Sequence, residues 1–483
     1  MYKEKIRAYL DAHREEMIED IKALVRIDSA RTEAKEGMPF GEGPAAALAE
    51  GCRILEKHGF APVNYDNYAI DARYNNKELQ LDVLAHLDVV PAGEGWTVTE
   101  PFEPVVIDGK IYGRGTCDDK GPAMAAVYAL LAIRDLGIEL KKDVRLILGA
   151  DEECGSSDID YYFKKNSHAP MAISPDAEFP LIFIEKGSLH TSFEATLTPS
   201  EALPKVVSVK SGLKVNVVPA KAEAVVKGMS VEKLVPYCQK LEKELGVTVE
   251  LTAGSPETES SLAGAEKRGL VSVLVKGTSA HAASPMDGNN ALTALLQLIA
   301  SLPLAESSSF EMLRKVSRLF PHGDYHGAGL GVNHEDEISG KLTLTLDIFN
   351  MDETKLGGLF DCRACISAND ENTRQVVYRR FEEAGFTHDN RPMGKPHYVP
   401  KESELVRTLL ESYTKITGRV EEPLAIGGGT YVHGIENGVA CGCGDLNVDT
   451  HMHGPDEFVI VEQLLMSAEI FADAFMKLCG VEE

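Results

Sequence analysis

No apolar run in the 483-residue chain approaches the ~20 residues that a membrane-spanning helix needs. Positive charge is also scarce: 49 lysines and arginines face 75 aspartates and glutamates, for a net charge of −26. Nucleic acid and anionic membrane would both be repelled by that excess, so neither is expected as a partner. A second cysteine pair is missing as well. The nine cysteines are an odd number, and Cys362-Arg-Ala-Cys365 is the single C-x-x-C, whereas a structural zinc site ordinarily takes two such pairs. Reduced thiols and a cytoplasmic location are therefore expected. The first residues, MYKEKIRAYLDAHREEMIEDIKALVRI, read as a charged amphipathic helix and lack the apolar centre of a signal peptide. No repeat of solenoid period is evident.

What is present is an alternation of apolar strands and helices, in a chain long enough for two cores. Residues 1–60 read as two helices joined by a Gly/Pro-rich loop, the second running from about Pro44 to His58 and stopping at Gly59. The strand within Leu79 to Pro91 ends in His86-Leu87-Asp88. Alternation puts His86 and Asp88 on one face, where a carboxylate can orient a metal-ligating imidazole. A Gly/Pro-rich loop then presents Asp118 and Asp119 ahead of Pro122, the expected first residue of a helix to Leu136. That helix is apolar nearly all round and should be buried. The strand Asp143–Gly149 delivers Glu152 and Glu153, and MAIS at 171–174 delivers Asp176.

In open α/β sheets, sites form beyond the carboxyl ends of the strands. One carboxylate at a strand end is ordinary; His, Glu-Glu and Asp at three successive ends point to a metal site. The fold class expected is α/β, a mixed central sheet flanked by helices, with an inserted α+β domain. Residues 1–187 and 396–483 would form the metal-binding domain and 188–395 the insertion. A hydrolytic metal pair needs a bridging carboxylate, about two further ligands per ion and a water between them. Asp118 would bridge, His86 and Asp176 would complete one ion, and Glu153 with His453 the other; from the residues alone either His451 or His453 could serve. Oxygen and nitrogen ligands without thiolate suit two divalent ions, Zn2+ first, with Mn2+ or Co2+ compatible. Glu152, next to a ligand yet not needed as one, stands where a general base belongs. His281 lies outside this set and by itself reads as a turn histidine.

These residues carry a resemblance. The motifs His86-x-Asp88, Gly113-Arg-Gly-x-x-Asp118-Asp-Lys-Gly121, Asp151-Glu152-Glu153, Pro175-Asp176, Gly277-x-x-x-His281 and His453-x-x-x-Glu457 resemble, in order, those of a dinuclear zinc peptidase and amidohydrolase family. That family includes carboxypeptidase G, aminoacylase and carnosinase. The resemblance implies five ligands, His86, Asp118, Glu153, Asp176 and His453, with Asp88 orienting, Glu152 as base and a cis peptide after Asp118. His281 would be the lid histidine that polarises the scissile carbonyl. The loop 93–122, PDAEFPLI-x-x-EKG and Ile426-Gly-Gly-Gly-Thr-Tyr431 are most similar to PepV-type dipeptidases, whose doubled lid supplies the histidine from the same chain. Asn216, Arg363, Gly428, Gly429 and Thr430 would then contact substrate, Arg363 suiting a carboxylate through its fork. The implied activity is metal-dependent hydrolysis of dipeptides with a free N-terminus, by a monomer. N-acyl or N-succinyl amino acids are the alternative substrates, and a non-catalytic scaffold that has kept the fold is a distant third. An acid near the site, Asp119 or Asp176, favours the free ammonium. Val432-His433 and the stretch Cys441–Met452 depart from the PepV pattern and bear on substrate range.

Overall fold

The computed structural model describes residues 2–254 and 269–481. It divides into two compact units: Met1–Glu185 with His397–Leu424 and Gly429–Glu483, and Lys186–Pro396 with Ala425–Gly428. Ala425–Gly428, which the sequence reading leaves in the first unit, belongs to the second.

The first unit is built on a mixed sheet. In order across it lie Val63–Tyr65, Ala69–Arg73, Asp143–Gly149, Leu79–His86, Met171–Ser174, Gly438–Ala440, Ile182–Glu185 and His397–Tyr398. The four strands from Asp143–Gly149 to Gly438–Ala440 are mutually parallel, and the flanking strands run antiparallel. Leu79–His86 is central, with seven of its eight residues buried, as a strand covered on both faces requires. Its register pairs His86 with Gly149 and Val83 with Ile173, so the parallel strands end at one edge. The helix Lys120–Asp135 is buried from Lys120 to Ile133 and packs against Val461–Leu478. It starts two residues ahead of Pro122, whose missing N–H is harmless in the first turn. The N-terminal helix is broken: Lys3–Ala12 and Arg14–Val25 meet at His13, whose ring nitrogen bonds back to Tyr9 O. Within the loop 91–119, Val105–Ile107 and Lys110–Tyr112 form a small sheet with Phe458–Ile460. That sheet ties this loop to the segment after His453.

The second unit holds an eight-stranded, fully antiparallel sheet ordered Thr248–Ala253, Leu270–Lys276, Lys221–Lys227, Lys205–Ser211, Thr343–Met351, Lys355–Ala364, Gly187–Thr196 and Thr387–His388, and a separate pair, Glu335–Asp336 with Gly340–Lys341. Two four-strand halves meet where Lys205–Ser211 pairs with Thr343–Met351. Helices Val231–Leu245, Ala291–Ser301, Ser308–Leu319 and Gln375–Ala384 contribute to a shared core. All nine cysteines are free thiols; Cys362 and Cys365 are buried in that core.

Candidate metal centre

Residues from three parallel strand ends and two loops converge in the first unit. The strand Asp143–Gly149 is followed by a turn pinned by Asp158, whose Oδ2 accepts from Ala150 N at 2.6 Å, Asp151 N at 2.9 Å and the Tyr431 hydroxyl. A Cβ on Gly149 would sit 2.1 Å from that hydroxyl, so the close approach requires glycine. The turn sets Glu152 and Glu153 beside the end of the central strand.

Asp118 is the hub. Its Oδ1 lies 2.9 Å from His86 Nε2 and its Oδ2 2.8 Å from His453 Nε2. His86 Nε2 is also 3.7 Å from Asp176 Oδ2, and His453 Nε2 is 3.3 Å from Glu153 Oε1. Two three-residue groups result, His86–Asp118–Asp176 and Asp118–Glu153–His453, each with its ligand atoms within 4.8 Å of one another. The peptide between Asp118 and Asp119 is cis. Of the two neighbouring histidines, His453 enters a group, while His451 turns its Nδ1 toward Pro455 O at 3.2 Å.

Asp88 is arranged differently from the strand-alternation argument. His86 Nδ1 meets the main-chain oxygen of Asp88 at 3.0 Å, and the nearer carboxylate oxygen is 3.5 Å away. That carboxylate instead accepts from the backbone N–H of Glu152 and of Glu153, each at 3.2 Å. The strand ends at His86, so strict alternation no longer applies two residues on. Asp88 thereby links the imidazole to the Glu152–Glu153 turn.

The electrostatics follow from crowding acids in a buried place. Burial works against a charged Asp118, but the hydrogen bonds from His453 and His86 outweigh it and hold its carboxyl far below the usual range. Its bond to Asp118, then that to Glu153, raises His453 to about 10. Burial lifts Glu153 to about 7 and Glu152 well above the ordinary glutamate value; Asp176, Glu153 and Asp118 add to the Glu152 shift against the opposing His86. Burial, then Asp118, raises Asp176. Asp119 is also buried and pushed up; its Oδ2 accepts from His86 N at 3.1 Å, and its Oδ1 has no hydrogen-bond partner among the described residues. Acids held this close repel one another, and a divalent cation in each group would replace protons as the counter-charge. The donor set, carboxylate and imidazole, fits such ions.

Two supports carried no separate assignment in the sequence. The buried pair Arg114–Glu457 fastens the Asp118 loop to the His453 loop: Glu457 Oε1 accepts from Cys117 N at 3.0 Å, and Arg114 Nη2 donates to Gly454 O at 3.1 Å. Glu185, buried at the end of its strand, accepts from Thr430 N at 3.1 Å and Thr430 Oγ1 at 2.7 Å, and bonds His433 Nδ1 at 2.9 Å. Both donors of Thr430 are thus turned inward. The signal available for Glu185 was its place at a strand carboxyl end.

The remaining candidates lie in the second unit. Asn216 adopts φ 72°, its N–H bonds Asp347 Oδ2 at 3.0 Å, and its carbonyl accepts from Ala282 N at 2.9 Å. The bridge Val217–His281 therefore sets Asn216 beside His281. Arg363 is held by both carboxylate oxygens of Asp361 at 2.7 Å and donates Nη1 to Gly427 O at 2.7 Å. Gly428 belongs to this unit, whereas Gly429 and Thr430 belong to the first.

Residues 83–477 match the pattern described as Peptidase family M20/M25/M40. The chain is 34% identical over 471 residues to the Bacillus subtilis protein YtjP, covering 96% of this chain and 97% of that one. It is 31% identical over 494 residues to the Beta-Ala-Xaa dipeptidase of Lactobacillus delbrueckii subsp. lactis, covering 98% of each. The solved structure of human carnosine dipeptidase 1 superposes with a TM-score of 0.60 at 15% identity, over 99% of both chains, and shares the fold. A mixed α/β chain with this site geometry and these full-length relatives belongs to peptidase family M20/M25/M40.

Proposed function

We propose that the protein is a dipeptidase that hydrolyses dipeptides with a free N-terminus, using two divalent cations, Zn2+ foremost, held by His86, Asp118, Asp176, Glu153 and His453. The observation that carries the reading is Asp118, with each carboxylate oxygen committed to a different three-residue group. Relatives over the full length that are named dipeptidases support the substrate class. An acid at the site, Asp119 or Asp176, suits a substrate ammonium and favours a free N-terminus over an acyl group.

When bound, the cations supply Lewis acidity that makes water a nucleophile at neutral pH and draws off charge from the carbonyl oxygen. Glu152 takes one proton from the attacking water as oxygen adds to the carbonyl carbon. It then returns that proton to the leaving nitrogen as the C–N bond breaks, and the second water proton, left on the new carboxyl group, passes to the amine, so a carboxylate and an ammonium are released. Asp88 fixes the turn that carries Glu152. In this reading His281 polarises the carbonyl, Asn216 and Arg363 receive the peptide carbonyl and terminal carboxylate, and Gly428, Gly429 and Thr430 also contact the substrate. The chain acts as a monomer in the cytoplasm.

Hydrolysis of dipeptides, tripeptides and N-acylated amino acids, with and without chelator, tests the reading. Chelator-sensitive cleavage confined to dipeptides is expected. Cleavage of N-acyl amino acids in preference would replace the substrate, and chelator-insensitive cleavage would remove the metals. For the monomer, mixing His281→Ala with Glu152→Gln should restore no activity; recovery would place His281 across a subunit interface.

A further inference from the structure

The strand Thr343–Met351 of the second unit contains a β-bulge. Leu346 pairs with Phe360 and Ile348 with the adjacent Leu359, so Asp347 is an extra residue with no partner on that strand. Its side chain is fully buried, a rare place for a carboxylate. Bulges re-aim side chains, and this one aims a carboxylate at a loop: Asp347 Oδ2 accepts from Asn216 N at 3.0 Å. The loop lies hard against the bulge, since a Cβ on Gly212 would come within 1.8 Å of the Asp347 main-chain oxygen.

The same strand grips the segment that carries His281. Asn290 Nδ2 donates to Leu346 O at 2.9 Å and to Thr345 Oγ1 at 3.1 Å, and Thr343 Oγ1 donates to Ala283 O at 3.2 Å. The two held segments are in turn stitched together: Asn216 O accepts from Ala282 N, and Ala280 O from Val218 N, each at 2.9 Å. His281 is exposed, so packing does little to aim it, and the backbone bonds on either side set its place.

Resting on the dipeptidase reading above, we propose that Asp347 is a positioning residue: by holding the Asn216 N–H it fixes both Asn216 and His281 against the scissile carbonyl. Asn216 sits at φ 72°, a conformation that residues with side chains adopt sparingly and that persists where the surroundings impose it. Without the acceptor, its half-buried N–H turns toward water, its carbonyl leaves Ala282 N, and the register that places His281 loosens. Arg363 is fastened separately, by Asp361 and by Gly427 O. Loss of the Asp347 acceptor therefore strikes the groups that meet charge developing on the carbonyl oxygen and spares the grip on the terminal carboxylate. Such a loss falls on kcat and leaves KM nearly unmoved.

The test compares Asp347→Leu, similar in size but without an acceptor, with Asp347→Asn, which keeps one, on metal-supplied full-length protein. Hydrogen–deuterium exchange of residues 212–219 and 278–284 should quicken by ~10-fold or more in Asp347→Leu and by less than ~3-fold in Asp347→Asn. With Ala-Ala as substrate, Asp347→Leu should lower kcat by ~10-fold or more with KM within ~3-fold of wild type, while Asp347→Asn keeps both within ~3-fold. Added to His281→Ala, Asp347→Leu should lower kcat by less than ~2-fold further, because the group it positions is already gone. If circular dichroism shows Asp347→Leu unfolded, Asp347→Ser, whose hydroxyl is too short to reach Asn216 N, takes its place. Unmoved exchange in the folded variant overturns the proposal. So do equal losses in the Leu and Asn variants, a loss carried by KM, or an undiminished loss in the His281→Ala background. If wild type cleaves no dipeptide, the dipeptidase reading fails, and the exchange rates alone decide whether Asp347 holds the loop.

Discussion

Each unit of the molecule buries acids, and Asp361 of the second is balanced in the opposite way to the cluster in the first. In the second unit, Asp361 takes both prongs of the Arg363 fork and lies 3.1 Å from His190, so its charge is matched by the protein itself. Burial opposes that charge, yet the bonds from His190 and Arg363 hold the Asp361 carboxyl low. In the first unit, Asp118, Glu152, Glu153 and Asp176 crowd two histidines, and three of these four acids are pushed upward. A closed ion pair serves as scaffold, whereas an unbalanced cluster is a place for added cations. The difference separates acids that hold shape from acids that bind.

The comparison is broken most severely at Glu152. Glu152→Gln should lower turnover by ~10²-fold or more while two ions remain bound, measured by steady-state kinetics with metal analysis. Near-normal turnover would show that another group carries the proton. On the scaffold side, Asp361→Ala leaves the Arg363 guanidinium buried without its partner and should cost ~3–5 kcal/mol by denaturant unfolding. A loss below ~1 kcal/mol would mean the pair is no scaffold.

The metal side is sharpened with the single tryptophan, Trp96, which reports on the first unit. Added Zn2+ should raise the fluorescence-detected unfolding midpoint of wild type and of His451→Ala. The rise should be much smaller in His453→Ala, because a ligand at 100 times its Kd adds ~2.7 kcal/mol and a lost ligand weakens that Kd. Equal rises in both variants would contradict the choice of His453.

The smallest effect is a pH slope. Burial, then the charge of Asp361, raises Asp347 from its ordinary 3.8 to about 8. A folded-state pKa above the unfolded one means that the native state holds the extra proton between those values. Its contribution to stability is full below pH 3.8 and falls as pH rises through about 8. Asp347→Asn should flatten that part of the stability–pH curve for the second unit, followed by far-ultraviolet circular dichroism; an unchanged slope would assign it elsewhere.

Much of the centre was legible because the chemistry sits where pattern is strongest. Apolar runs of strand length stop at polar residues, and Leu79–His86, Asp143–Gly149 and Met171–Ser174 read directly from that contrast. Less local features were hidden. Nothing in the run 1–27 marks the break at His13, since helical periodicity continues through it. The bonds from the Glu152–Glu153 backbone to the Asp88 carboxylate were hidden because that turn lies 64 residues away in sequence. Glu185 belonged to a matching stretch, but its grip on Thr430 and His433 spans 245 residues and more. Arg114 and Glu457, 343 residues apart, could be read as motif letters but not as a single clamp. Local spacing exposes which residues bear chemistry; the bonds that aim them are set by tertiary pairing.

The most direct measurement is anomalous diffraction from crystals grown with Zn2+. Two peaks ~3.5–4 Å apart are predicted, both within coordination distance of Asp118. One should also contact His86 and Asp176, and the other Glu153 and His453. A single peak, or a pair that Asp118 does not bridge, would contradict the account.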